Sequence, residues 1–144
     1  GALLSGSADL IARCHRYRRM AGGAMRQAGI FAAAGLYALD HHTARLVDDH
    51  ANAAAFAARL AANPGVLLDP AAIQTNIIVF GLAPLLPDAA AVVDRAGARG
   101  VVMFALGPRT VRAVTHLDVT RADCEAAADI VLSVISQGPA GEQA

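Results

Sequence analysis

The sequence predicts an α/β chain in which a long connecting helix leads into a small, partly antiparallel sheet covered by helices. Three observations predict it. From Met25 to about Ala62 the chain is rich in alanine and free of proline, a stretch long enough for one connecting helix or two abutting ones. Beyond Asn63-Pro64-Gly65, β-branched runs alternate with short amphipathic stretches. Gly107-Pro108 separates two of those runs tightly enough for a hairpin, which makes at least that pair antiparallel.

Taken in order, Gly1 to Gly6 reads as the end of a short apolar strand. A strand that starts a chain leaves donors and acceptors in need of partners, so the chain is expected to begin inside something larger. Ser7 is a plausible N-cap with Asp9 at the positive end of a helix whose apolar stripe runs through Leu10, Ile11 and Cys14 towards Tyr17. Ala21-Gly22-Gly23 interrupts it, and Gly29 and Gly35 weaken the case for one continuous rod beyond Met25. Asn63-Pro64-Gly65 closes the helical stretch. Strands are then expected at Ile73 to Phe80, Val101 to Leu106 and Arg109 to Thr115, with a helix from Asp88 to Ala98 between the first two. Thr120 and Asp123 resemble a capping box with a shortened acid, opening a helix with Cys124, Ala127, Ala128, Val131, Leu132 and Ile135 on one face. The tail 138–144 is expected to be disordered.

Composition narrows the function classes. The chain has 144 residues, 56% hydrophobic and 17% charged, with no formal net charge. Balanced charge argues against nucleic acid or an anionic membrane as partner, so any anion site must be local. Much of the apolar fraction is alanine, and neither a membrane span nor a signal peptide is apparent. Cys14 and Cys124 stand far apart with no second pair, which points to reduced thiols and a cytoplasmic protein.

All twelve basic residues are arginine. Arginine grips phosphate and carboxylate with a planar fork, whereas lysine is the residue that forms Schiff bases, so this chain can hold anions but supplies no Schiff-base lysine. Four arginines surround a glycine pair in RYRRMAGGAMRQAG, Arg16 to Gly29. Arg19 and Arg26 flank Gly22-Gly23, so both guanidinium groups can converge on one phosphate while the backbone approaches closely. An exposed basic patch or an interface ion pair is the alternative. On the last strand, alternation sets Thr110, Arg112, Val114 and His116 on one face and Arg109, Val111, Ala113 and Thr115 on the other. An arginine amid apolar residues is costly unless an anion or a nearby acid meets it. Arg109 reads as solvated or structural.

Four ordered segments carry a resemblance: RYRRMAGGAMRQAGIFAAAGLYAL, DHANA at Asp49 to Ala53, QTN at Gln74 to Asn76, and RAVTHLDVT from Arg112 to Thr120. Together they resemble the C-terminal part of the low-specificity L-threonine aldolases, pyridoxal-phosphate enzymes of the aspartate aminotransferase fold type (fold type I). The match runs from Gly1 to about Ile135. It implies that residues 1–29 are a remnant of the large cofactor-binding domain with the Arg/Gly segment, and 30–137 the connecting helix and the C-terminal small domain. It also implies that the chain starts just after the lysine that holds the cofactor and is inactive alone. By the same resemblance, Arg112 binds the substrate α-carboxylate, and Arg19 and Arg26 reach the cofactor phosphate from a neighbouring subunit. Arg19 departs from the lysine common at its position, keeping the charge but changing the geometry.

The implied reaction is retro-aldol cleavage of a β-hydroxy-α-amino acid to glycine and an aldehyde, in a homodimer or homotetramer with shared sites. Other readings stay open: another fold-type I lyase or aminotransferase, or a non-catalytic oligomerisation or anion-binding module. No metal site is expected, because His42 and His50 lie eight apart, although Asp49 could share a face with His42. His116 reads as a packing residue of the Thr115 to Asp118 turn, with a place at the edge of an active site left open.

Overall fold

Two-residue alternation of apolar side chains places β4, Thr110–Val114, inside a four-stranded sheet rather than at its rim. In the computed structural model, which describes residues 3–138, the strands run in the order β1-β2-β4-β3 and every pair is antiparallel. β1 is Val66–Leu67, β2 is Ile77–Leu82 and β3 is Phe104–Gly107. The helices are α1 (Ala8–Met20), α2 (Gly29–His41), α3 (Leu46–Leu60), α4 (Ala89–Gly97) and α5 (Arg121–Ser136). The chain divides into two compact units, Gly1–Ala44 and Arg45–Ala144.

In the second unit, β2 buries Ile78, Phe80 and Leu82 on one face while Ile77 and Val79 stay exposed on the other. Helix α3 turns Ala53, Phe56, Ala57 and Leu60 inward, and α5 turns Cys124, Ala128, Val131, Val134 and Ile135 inward. With Val92 and Ala96 of α4, and with Met103 and Val111, these side chains form one core on the helix-covered side of the sheet. The helix expected from Asp88 forms as α4, and Asp88 is its N-cap, its side chain accepting from the Ala91 N–H at 2.8 Å. The Thr120–Asp123 capping box is complete: each residue's side chain accepts the other's backbone N–H. Pro108 and Arg109 make the two-residue turn of the β3–β4 hairpin.

In the first unit, Ser7 caps α1 by accepting from the Leu10 N–H. The end of α1 is closed by Gly22 at φ +73°, with Gly22 N–H donating to Arg19 O and Gly23 N–H to Arg18 O. This paired pattern is the usual device by which a left-handed glycine terminates a helix.

Several expectations are corrected. Of the two forms open to the alanine-rich stretch, one connecting helix or two abutting ones, the chain takes the second: α2 and α3 are interrupted from His42 to Arg45, where the Thr43 hydroxyl donates back to the Leu39 carbonyl. Such back-bonding by a β-branched residue favours a helix end over its continuation. Residues 3–7 form no strand; Gly1 and Ala2 lie outside the described residues. The α1 stripe is not a buried one, since no α1 residue is buried and Leu10 and Tyr17 are exposed. β2 starts at Ile77 because Pro70–Ala72 forms a short 3-10 turn and Thr75 accepts the Ile77 N–H through its hydroxyl. β3 starts at Phe104, since Gly100 at φ +87° and the Val101 N–H bonded to Ala96 O still belong to the end of α4. The antiparallel pairing expected of at least part of the sheet extends to all of it. Of the tail, Gly138 is described and accepts from Arg95; residues 139–144 lie outside the described residues.

Candidate carboxylate-binding face

The face of the sheet away from α3, α4 and α5 carries Arg112. Its register partners are Val79 on β2 and Phe104 on β3, so all three side chains share that face. Phe104 is 62% and Val79 44% exposed, while Arg112 itself is half-buried between them. Among the described residues, no carboxylate forms an ion pair with Arg112. The nearby-acid alternative therefore has no partner in the described structure, and the guanidinium stands as a cation within an apolar surround.

Both ends of β4 are anchored. Arg109 donates from Nη1 to the carbonyls of Ala83, Leu86 and Pro87 at 3.1, 2.6 and 3.3 Å, and from Nη2 to Pro84 at 2.8 Å. Its role is structural. The signal lay in Pro84-Leu85-Leu86-Pro87, where two prolines that lack an N–H leave carbonyls in excess of donors, a set that a multi-donor side chain can meet. At the other end, the buried Thr115 hydroxyl donates to Asp49 O at 2.7 Å, and Asn76 Nδ2 donates to Thr115 O at 2.8 Å. Asn52 Nδ2 donates to Val119 O at 3.3 Å. DHANA, QTN and RAVTHLDVT thus meet in one polar cluster, a convergence their separate positions in the sequence did not reveal.

Asp49 is buried and takes a two-point ion pair from Arg45 at 2.9 and 3.2 Å, so its carboxylate is committed. Among the described residues no three His, Cys, Asp or Glu side chains gather as metal ligands. His116 is an exposed turn residue rather than a packing one, with Nδ1 accepting the Asp118 N–H at 3.3 Å. A cavity of about 420 Å³ opens among Phe56, Ile78, Val101, Met103, His116 and Cys124. Burial pushes the Cys124 thiol up, which keeps it protonated and a poor nucleophile at neutral pH.

Arg19 and Arg26 belong to the first unit and Arg112 to the second. Arg19 occupies the last turn of α1 and Arg26 the turn that precedes α2; both are exposed and neither forms an ion pair among the described residues. Gly22 between them is spent on closing α1, so its left-handed geometry is required whether or not an anion binds.

Residues 1–83 match the model of the beta-eliminating lyase family. The chain belongs to that family. Within it, the low specificity L-threonine aldolase of Escherichia coli K12 is 44% identical over 122 residues, covering 84% of this chain and 34% of the relative. A probable low-specificity L-threonine aldolase of Schizosaccharomyces pombe is 32% identical over 120 residues, covering 83% of this chain and 29% of the relative. Probable low-specificity L-threonine aldolase 2 of Arabidopsis thaliana is 38% identical over 78 residues, covering 54% and 22%. The chain spans about a third or less of the length of these curated relatives. As a segment of the beta-eliminating lyase family, it carries Arg112 beyond the stretch matched by the family model, in a part covered by the threonine-aldolase similarity. No helix among the described residues is long and apolar enough to cross a membrane.

Proposed function

We propose that this chain is part of a pyridoxal-phosphate-dependent lyase of fold type I that cleaves β-hydroxy-α-amino acids of the threonine type to glycine and an aldehyde. The observation that carries this reading is Arg112, a cation without an acidic partner among the described residues, at the centre of an apolar sheet face in a chain 44% identical to a threonine aldolase over 122 residues. A guanidinium takes a carboxylate through two parallel N–H donors, which fixes orientation as well as charge. Arg112 thereby holds the amino acid by its α-carboxylate, with the apolar side chains of Val79 and Phe104 flanking it on the same face.

The charge and exposure of Arg19 and Arg26 fit a phosphate, since two guanidinium groups that form no ion pair among the described residues supply donors without a competing acid there. Bound pyridoxal phosphate supplies the electron sink for the carbon–carbon bond that breaks. The chain contains no lysine, so covalent hold on the cofactor falls to a residue outside these 144. In this reading residues 1–29 continue the large cofactor-binding domain, 30–137 form the connecting and small-domain part, and Arg19 and Arg26 act across a subunit boundary in a homodimer or homotetramer.

Losing a charged hydrogen-bond pair costs about 1.5–3 kcal/mol. Arg112→Gln in the full-length, cofactor-loaded polypeptide is therefore expected to raise KM for threonine by roughly ten- to a hundredfold. An unchanged KM would refute the carboxylate role. The family model favours a second reading, β-elimination, which yields a 2-oxo acid and ammonia rather than glycine and an aldehyde. Product analysis separates the two.

A further inference from the structure

We propose that Arg109 and Thr115 are positioning residues that hold β4 in register and so keep Arg112 on the open face of the sheet. The inference rests on the carboxylate role of Arg112. Antiparallel ladders alternate hydrogen-bonded and non-hydrogen-bonded pairs. Leu82 N–H donates to Arg109 O at 2.9 Å and Thr115 N–H to Asn76 O at 3.0 Å, and both pairs continue the β2–β4 register by one residue beyond the strand ends. Arg112 lies three residues from each. Counting inward, Arg112 and Val79 form a non-hydrogen-bonded pair, the type in which side chains stand closest. Each flanking pair is then tied to structure outside the ladder, Arg109 to the loop Ala83 to Pro87 and Thr115 to the start of α3 through Asp49 O.

Such anchoring matters because the alternation on β4 is weak. Ala113 is small and Val114 half-exposed, so the residues after Val111 give little hydrophobic preference between faces. A slip of one residue turns every side chain to the opposite face, which would drive Arg112 into the helix-covered core. The two anchors oppose that slip from both ends, where burial alone opposes it mainly at Val111.

The test compares Thr115→Val, which removes the hydroxyl at nearly constant shape, with Thr115→Ser, which keeps it. Displacement of a binding group by about 1 Å is worth up to a hundredfold. Thr115→Val in the cofactor-loaded full-length polypeptide should raise KM for threonine about tenfold with a smaller change in kcat, and Thr115→Ser should restore it. In an Arg112→Gln background the Thr115→Val effect should vanish, because a residue acting through Arg112 has nothing left to position. Without cofactor, hydrogen exchange at the Ile78 and Ala113 amides should accelerate in Thr115→Val and not in Thr115→Ser. Arg109→Lys, which keeps the cation but loses the fork, tests the other end and serves if Thr115→Val fails to fold. An unchanged KM in the folded anchor variants, an undiminished Thr115→Val effect in the double mutant, or unaltered exchange would each overturn the proposal. If Arg112→Gln alone leaves KM unchanged, the carboxylate reading itself has failed, an outcome visible before any anchor variant is made.

Discussion

The two units solve the same problem of helix stability in opposite ways. Residues Arg45–Ala144 bury a core in which Phe80, Ile78, Leu60 and Val131 are at most 1% exposed, whereas α1 and α2 of Gly1–Ala44 bury no residue. Both regions are rich in apolar side chains. The difference is where they go: α3 and α5 present stripes to a sheet, while Ile30, Phe31, Leu36, Tyr37 and Leu39 of α2 are all exposed. Helices of thirteen residues are marginal on their own propensity. Apolar content therefore says little about burial until the period of the pattern is known, and α2, apolar nearly all round, has no polar face to turn to water.

Deleting a ring from each region gives the sharpest contrast. Phe80→Ala is expected to destabilise the chain by about 3–5 kcal/mol, through lost transfer energy and the cavity left behind. Phe31→Ala, at a site 58% exposed, should stay within about 0.5 kcal/mol in the same urea titration. A large effect of Phe31→Ala that grows with protein concentration would instead reveal that α2 is covered in an assembly. A smaller effect is expected at the helix starts. Thr120→Ala, which removes one half of the α5 capping box, should cost about 1 kcal/mol by thermal unfolding. Ser7→Ala at α1, where the cap bond is 3.3 Å long and exposed, should cost less. Equal losses would mean that α1 is as firmly coupled to global unfolding as α5.

The smallest effect is a pH dependence confined to the second unit. The Thr120 hydroxyl and then its backbone N–H hold the Asp123 carboxyl below its ordinary value, and the hydrogen bond from Arg59 does the same for Asp129. A folded-state value below the unfolded one means that the unfolded chain binds the proton more readily. This stabilisation is present above the unfolded carboxylate value and is lost as pH falls through the folded one. Asp123→Asn should therefore flatten the acid limb of stability against pH without moving the neutral plateau's slope. An unchanged acid limb would show that the cap does not titrate with folding.

Much of the second unit was legible in the sequence. The Thr120–Asp123 capping box, a helix beginning near Asp88 and the inward face of α5 follow from local signals a few residues long, and the hairpin signalled by Gly107-Pro108 forms with its turn one residue later, at Pro108 and Arg109. Arg112 was legible as an anomaly, a charge among β-branched neighbours. Its anchors were not, because Thr115, Asn76 and Asp49 lie up to 66 residues apart and only the folded sheet brings them together. Two abutting helices were among the forms the sequence allowed, but the place of the break between α2 and α3 was not legible: no glycine or proline marks His42 to Arg45, and the hydroxyl of Thr43 acts through one bond to Leu39.

The sheet ends on strands poorly suited to recruit another chain. β1 offers two residues, and β3 is offset by a register shift between Ala105 and Gly107. Short or bulged borders give a stray strand too little regular backbone to pair with. A molecule that leaves the apolar flanks of Arg112 open thus carries its own protection against fibril-like stacking at high concentration, built from strand length and one irregular step rather than from surface charge.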